Sequence, residues 1–105
     1  MLVERDGCVF DDSQFKNSYG YESLDPVAQE AFVNHIHLDG TNREETAKRI
    51  IEAWVREMML KWTNSIFKIY EHRDEDEIVI RFHRYRAEFP DWSHDKKLTI
   101  TTVCT

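Results

Sequence analysis

A chain of 105 residues is long enough for one domain, 1–105, and buries roughly two thirds of the surface its unfolded form exposes, so it can fold without staples. Hydrophobic residues make up 41% and charged residues 32%, which is globular composition and excludes a disordered chain. With 20 Asp and Glu against 14 Lys and Arg the net charge is −6, which weighs against a nucleic-acid binder, while no apolar run approaches the ~20 residues of a membrane span.

The first ten residues read as a short hairpin. Met1 to Arg5 and Cys8 to Phe10 flank Asp6-Gly7, a dipeptide favoured in type I′ turns. The start has neither a basic n-region nor an apolar h-region, so it is not expected to be a signal peptide. Cys8 and Cys104 are then expected free and reduced in a cytoplasmic protein. Residues 11–24 read as an irregular segment tacked to the core by Phe15, Tyr19, Tyr21 and Leu24.

Asp25-Pro26 is a helix start, Asp as N-cap and Pro in the first turn, and predicts a short helix from Pro26 to about Ala31. Phe32 to Leu38 then alternates. Phe32, Asn34, Ile36 and Leu38 would share one strand face, and Val33, His35 and His37 the other, ending at Asp39-Gly40. The competing reading continues the helix through Ile36.

The longest element is an amphipathic helix from Asn42 to about Trp62. Thr41-Asn42-Arg43-Glu44 has the form of a capping box, Thr41 and Glu44 each satisfying the other's amide. Ala47, Ile50, Ile51, Trp54, Val55, Met58 and Trp62 make one apolar stripe, which Met59 and Leu60 are expected to widen. Glu45 with Arg49, and Glu52 with Arg56, are i, i+4 pairs of favourable order on the polar face.

Thr63-Asn64-Ser65 ends the helix. Ile66 to His72 and Glu77 to Tyr85 read as strands joined by the polar turn Arg73-Asp74-Glu75-Asp76. Pro90 lies in a loop from Ala87 to Lys97, and Leu98 to Cys104 is a final strand. The expected architecture is α+β: a mostly antiparallel sheet with one long helix packed on one face and the other face partly polar and half exposed.

Four groups of residues bear on function. His35, His37 and Asp39 alternate on one strand face and could ligate a metal, with His72, His83 or His94 joining only through the fold. The plainer reading is two histidines on a solvated face, because zinc motifs usually carry closer and more specific spacing, and no cofactor is expected. A cysteine nucleophile paired with a histidine has no local signature. Arg81, His83, Arg84, Tyr85 and Arg86 form the basic-aromatic strand, but alternation splits Arg81 and His83 from Arg84 and Arg86. RNA binding there is the nucleic-acid alternative, and pairing with acids such as Glu71 the plainer one. Last, Asp74-Glu75-Asp76-Glu77 is an acidic hairpin tip and Asp11-Asp12 a smaller acidic patch, near Glu22 and Asp25. Each is a solvated turn or a docking surface for a cationic protein. Gly7, Gly20 and Gly40 are far apart, so no phosphate-cradling loop is present.

With its size and acidity, the stretch from Phe67-Lys68-Ile69-Tyr70 through Ile78-Val79-Ile80-Arg81-Phe82-His83 to Pro90-Asp91-Trp92 resembles small bacterial immunity proteins that neutralise polymorphic or contact-dependent toxins. The resemblance covers about half the chain and has no diagnostic motif, so no functional residue transfers by position. It implies a non-enzymatic inhibitor that plugs a basic, nuclease-like site with acidic side chains.

Overall fold

Turn chemistry sets the first element pair. Asp6 and Gly7 both adopt positive φ, 51° and 81°, as a type I′ turn requires. They join β1 (Leu2–Arg5) to β2 (Cys8–Asp11) in a two-stranded sheet with Arg5 opposite Cys8. The structure, a computed structural model, describes residues 1–105, the side chain of Asn17 excepted. Two 3-10 turns follow, Asp12–Asn17 and Tyr21–Ser23. Phe15 and Tyr21 pack their rings on Phe10 at 5.1 and 5.6 Å, so part of the irregular segment is tacked down as expected, whereas Tyr19 and Leu24 are exposed.

Helix α1 (Pro26–Val33) starts where the sequence indicates, the Asp25 carboxylate accepting from the Ala28 amide at 2.9 Å. It runs through Val33. Phe32 and Val33 are therefore helical, and the expected strand shrinks to β3 (Ile36–Asp39). The helical period explains the difference. Val27, Glu30, Ala31 and Asn34 recur at three- and four-residue steps, and all four are buried.

Two of those four are polar, and they do the work of a missing strand. Glu30 accepts from the Val9 amide of β2 at 2.6 Å and from the Arg84 amide at 2.9 Å. Asn34 accepts from the Asp11 amide at 2.8 Å and donates to the carbonyls of Val9 at 2.9 Å and Phe82 at 3.4 Å. The open edge of the first sheet is thus tied to the second sheet through side chains one turn apart, and the buried backbone groups are satisfied.

The second sheet has the order β3-β5-β4-β6 and is antiparallel throughout, with β4 (Ile66–Arg73), β5 (Glu77–Arg84) and β6 (Thr99–Cys104). Its inner face presents Ile78, Ile80, Phe82, Phe67, Ile69 and Val103. Helix α2 (Arg43–Lys61) lays Ala47, Trp54 and Met58 on this face, with Ile50, Ile51, Val55 and Trp62 packed around them, and Leu2 and Val9 complete the core. The expected α+β layering is what the chain adopts.

Three details of α2 depart from expectation. The Thr41–Glu44 capping box does not form. The N-cap is Asn42 without a side-chain cap, and Glu44 instead takes Arg73 Nε at 3.0 and 3.1 Å, a charged donor that outcompetes a backbone amide. Glu45 pairs with Arg49 at 3.2 Å, whereas Glu52 turns toward a groove beside β4. Met59 and Leu60 stay 54% and 78% exposed, because the buried stripe follows Trp54 and Met58 and nothing packs on the next face round the helix.

The outer sheet face is more covered than expected. The chain between β5 and β6 folds back across it, bringing the Trp92 ring to 5.1 Å from the Tyr70 ring. His83, expected among the polar residues of the half-exposed face, is buried, and so is Tyr70 beside it. Both cysteines are free, Cys8 buried and Cys104 exposed.

Candidate functional site

The acidic tip is partly committed to its own turn. The Asp74 carboxylate accepts from the amides of Asp76 and Glu77, both at 2.8 Å, and these two bonds hold its pKa below the usual 3.8. Glu77 reaches His37 Nδ1 at 3.1 Å. The side chains of Glu75 and Asp76 make no hydrogen bond or ion pair among the described residues and point their charge to solvent.

Two arginines fasten this tip to the first turn of α2. Arg43 donates to the carbonyls of Gly40 and Glu75, both at 3.0 Å. Arg73 donates to Glu44, and to Glu71 at 2.9 Å. The tip therefore adjoins a groove of about 430 Å³ between α2 and β4. Its walls carry Glu44, Glu45, Glu52 and Glu71 against Lys48 and Arg73, with Ile51 as an apolar element. Sequence reasoning found the tip but not the groove, whose carboxylates come from two elements joined only in the fold.

Asp11 and Asp12 do not share one exposed acidic surface. Asp11 is 7% exposed. Its Oδ2 accepts from Trp54 Nε1 at 2.8 Å, and its Oδ1 accepts from the Ser13 amide and hydroxyl at 3.1 and 2.7 Å. It is a buried acceptor that starts a 3-10 turn and fixes the indole of α2. Asp12 lies 3.2 Å from the Met1 amine. Asp25 is the cap of α1.

The histidine pair does come together. His35, which precedes β3, and His37 have ring centroids 5.2 Å apart. The His35 Nδ1 faces the Phe32 carbonyl and the His37 Nδ1 faces Glu77. Asp39 does not complete the set: among the described residues no three His, Cys, Asp or Glu side chains converge to hold a metal ion.

The basic strand is split as its alternation requires. Arg86 forms a buried pair with Glu30, its two terminal nitrogens at 2.7 and 3.0 Å, and also donates to the Gly7 carbonyl. Arg84 lies 4.0 Å from Glu4 and near the Trp62 and Phe67 rings. Arg81 is on the opposite face over Trp92, at 4.1 Å. His83 Nδ1 faces the Arg84 carbonyl at 3.0 Å, so the proton belongs on Nδ1, and Nε2 accepts from the Tyr70 hydroxyl at 2.8 Å and the Trp92 amide at 3.3 Å. Burial lowers the pKa of His83 from its ordinary 6.5, and burial, then the Asp91 charge, pushes that of Tyr70 up to about 12. At neutral pH the pair is a protonated phenol on a neutral imidazole that anchors the chain after β5.

The molecule is thus an α+β domain with an acidic groove on one side of its sheet, a histidine-rich, aromatic face on the other, and the acidic tip at the end of the β4–β5 hairpin between them. No protein-family model matches this chain, and neither a curated protein nor a solved structure matches it.

Proposed function

We propose that this protein is a non-enzymatic binding protein that docks a cationic protein through the acidic groove and the adjoining hairpin tip, as an inhibitor or immunity protein for a basic, nuclease-like toxin. The observation that carries this reading is the joining of two acidic segments by Arg43 and Arg73. They bring Glu44, Glu45, Glu52 and Glu71 into one groove beside Glu75 and Asp76. Ile51 supplies an apolar contact inside a charged rim, a distribution suited to an interface. Excess negative charge of this kind speeds encounter with a basic partner and is felt over a Debye length of about 8 Å at physiological salt.

The test is co-expression with the product of the adjacent gene, followed by association kinetics on the purified complex. Replacing Glu45 and Glu52 by Gln, Glu75 by Gln and Asp76 by Asn removes four exposed charges while keeping Glu44 on Arg73. The expected result is an on-rate lower by about tenfold at low salt and a flattened salt dependence. An unchanged on-rate at low salt rejects the groove as the docking surface. Turnover of a small molecule with no protein partner rejects the reading altogether.

A further inference from the structure

The outer sheet face holds a second cavity, of about 260 Å³, on the side away from the acidic groove. Strand register explains its contents. His37 of β3 is opposite Val79 of β5, which is opposite His72 of β4; the next row places Arg81 opposite Tyr70. These side chains form the floor. The chain between β5 and β6 forms the wall, with Trp92, Ser93 and Leu98.

Arg81 is the unusual member. The other arginines of this hairpin and the residues just after it each face a carboxylate: Arg73 has Glu44 and Glu71, Arg84 has Glu4, and Arg86 has Glu30. Among the described residues Arg81 has none within 4.0 Å. One nitrogen donates to the Ala31 carbonyl at 3.1 Å, near the end of α1, and the plane rests on Trp92. A guanidinium has five donors, so one carbonyl leaves most of the fork unused. Its pKa is lowered by desolvation with no charged neighbour to offset it, yet the group remains protonated. A half-buried cation with free donors, in a cavity walled by an indole, is arranged for an anion.

The geometry points to a binding site for a small monocarboxylic acid with an apolar body, its carboxylate on Arg81 and its body between Val79, Trp92 and Leu98. Ser93 supplies a hydroxyl at the wall. Asp95, the acid on the lining, opposes any anion there and opposes a phosphate dianion about twice as strongly as a monoanion, so it favours the monoanion of the two. The cavity is at the small end for ligand sites, which fits a fragment-sized acid. This site is independent of the acidic groove, from which β4 separates it: Glu71 and Arg73 belong to the groove, Tyr70 and His72 to the cavity.

The experiment is an amide-resolved NMR titration of the full chain with sodium benzoate, with benzamide and inorganic phosphate as parallel arms. Saturable shifts at Val79, Arg81, Ser93 and the Trp92 indole are expected, with a dissociation constant on the order of a millimolar. Benzamide keeps the shape without the charge and should bind about tenfold more weakly, as should phosphate. Arg81→Gln should weaken benzoate binding by about tenfold or more. Because that change also removes the bond to Ala31, Leu98→Trp serves as a second variant, filling the cavity with Arg81 intact, and should abolish the shifts. No saturable shift by about 20 mM, equal binding of benzamide or phosphate, or benzoate shifts that persist in both variants would overturn the site.

Discussion

Glu30 is the residue on which the joint between the two sheets depends, and its removal can be costed from its partners. It is fully buried and accepts four hydrogen bonds, from the amides of Val9 and Arg84 and from two nitrogens of Arg86. Glu30→Ala leaves a largely buried guanidinium without its anion and strands two backbone amides. Breaking a buried pair from one side costs about 3–5 kcal/mol. That is a large share of the 5–15 kcal/mol typical of a domain. At about 4–8 °C per kcal/mol the melting temperature should fall by roughly 12–40 °C, and with an m-value of about 1–3 kcal/mol/M the urea midpoint should fall by about 1 M or more. Glu30→Gln keeps the shape and one acceptor and should fall between the parent and Glu30→Ala. In a cycle with Arg86→Met, the coupling between positions 30 and 86 should reach about 1–3 kcal/mol. If Glu30→Ala melts within about 1 kcal/mol of the parent, the edges of β2 and β5 are satisfied without this side chain and the role assigned to α1 is wrong.

Trp54 offers a second separation of terms. Trp54→Ala should cost about 3–5 kcal/mol by cavity formation under Phe82, whereas Trp54→Phe should cost about 1–3 kcal/mol, chiefly by leaving the buried Asp11 carboxylate without its indole donor; a Trp54→Phe variant as stable as the parent by chemical denaturation would mean that the Asp11 bond contributes nothing. His83 predicts an acid-side weakening: its folded pKa lies below the unfolded 6.5, so the folded state binds fewer protons, and its contribution is complete above pH 6.5 and lost as pH falls from there toward the folded value. The melting temperature should therefore drop between pH 7.5 and 5 more steeply in the parent than in His83→Gln, and parallel profiles would refute it. At the tip, Asp74→Ser should lower the melting temperature more than Asp76→Ser does, since Asp74 alone accepts the two turn amides; indistinguishable melts would show that those bonds do not hold the turn.

What the sequence revealed is local. Asp6-Gly7, Asp25-Pro26 and the Ala47–Trp54–Met58 stripe act through neighbours within a turn or two, so their signals survive in one dimension. The failures are competitions won by residues far along the chain. Thr41 and Glu44 have the right spacing for a capping box, but Arg73 is a better donor for Glu44 and becomes available only when β4 lies beside α2. Asp11 and Asp12 read as one acidic patch, and Trp54, 43 residues on, draws Asp11 inside. Glu30 and Asn34 were findable: continuing the expected helix three residues past Ala31, to its C-cap, puts Asn34 with Glu30 on the face of Val27 and Ala31, where a polar side chain must be buried and bonded. The cover that Trp92 places over Tyr70 had no sequence signal beyond an aromatic in a loop.

The two candidate binding surfaces rest on one property of β4. Its side chains alternate, so Phe67, Ile69, Glu71 and Arg73 face the core and then the acidic groove, while Lys68, Tyr70 and His72 face outward. A register slip of one residue would reverse every assignment. It would place Glu71 on the outer face next to Arg81, neutralising the cation of the cavity, and send His72 into the groove, where a carboxylate is now. The same slip would turn Phe67 and Ile69, both fully buried, out of the core. The register that separates an acidic surface from a cationic cavity is thus the one enforced by hydrophobic burial. Charges on either surface can therefore be changed without unsettling the pairing, provided Phe67, Ile69 and the Asp74 turn are left in place.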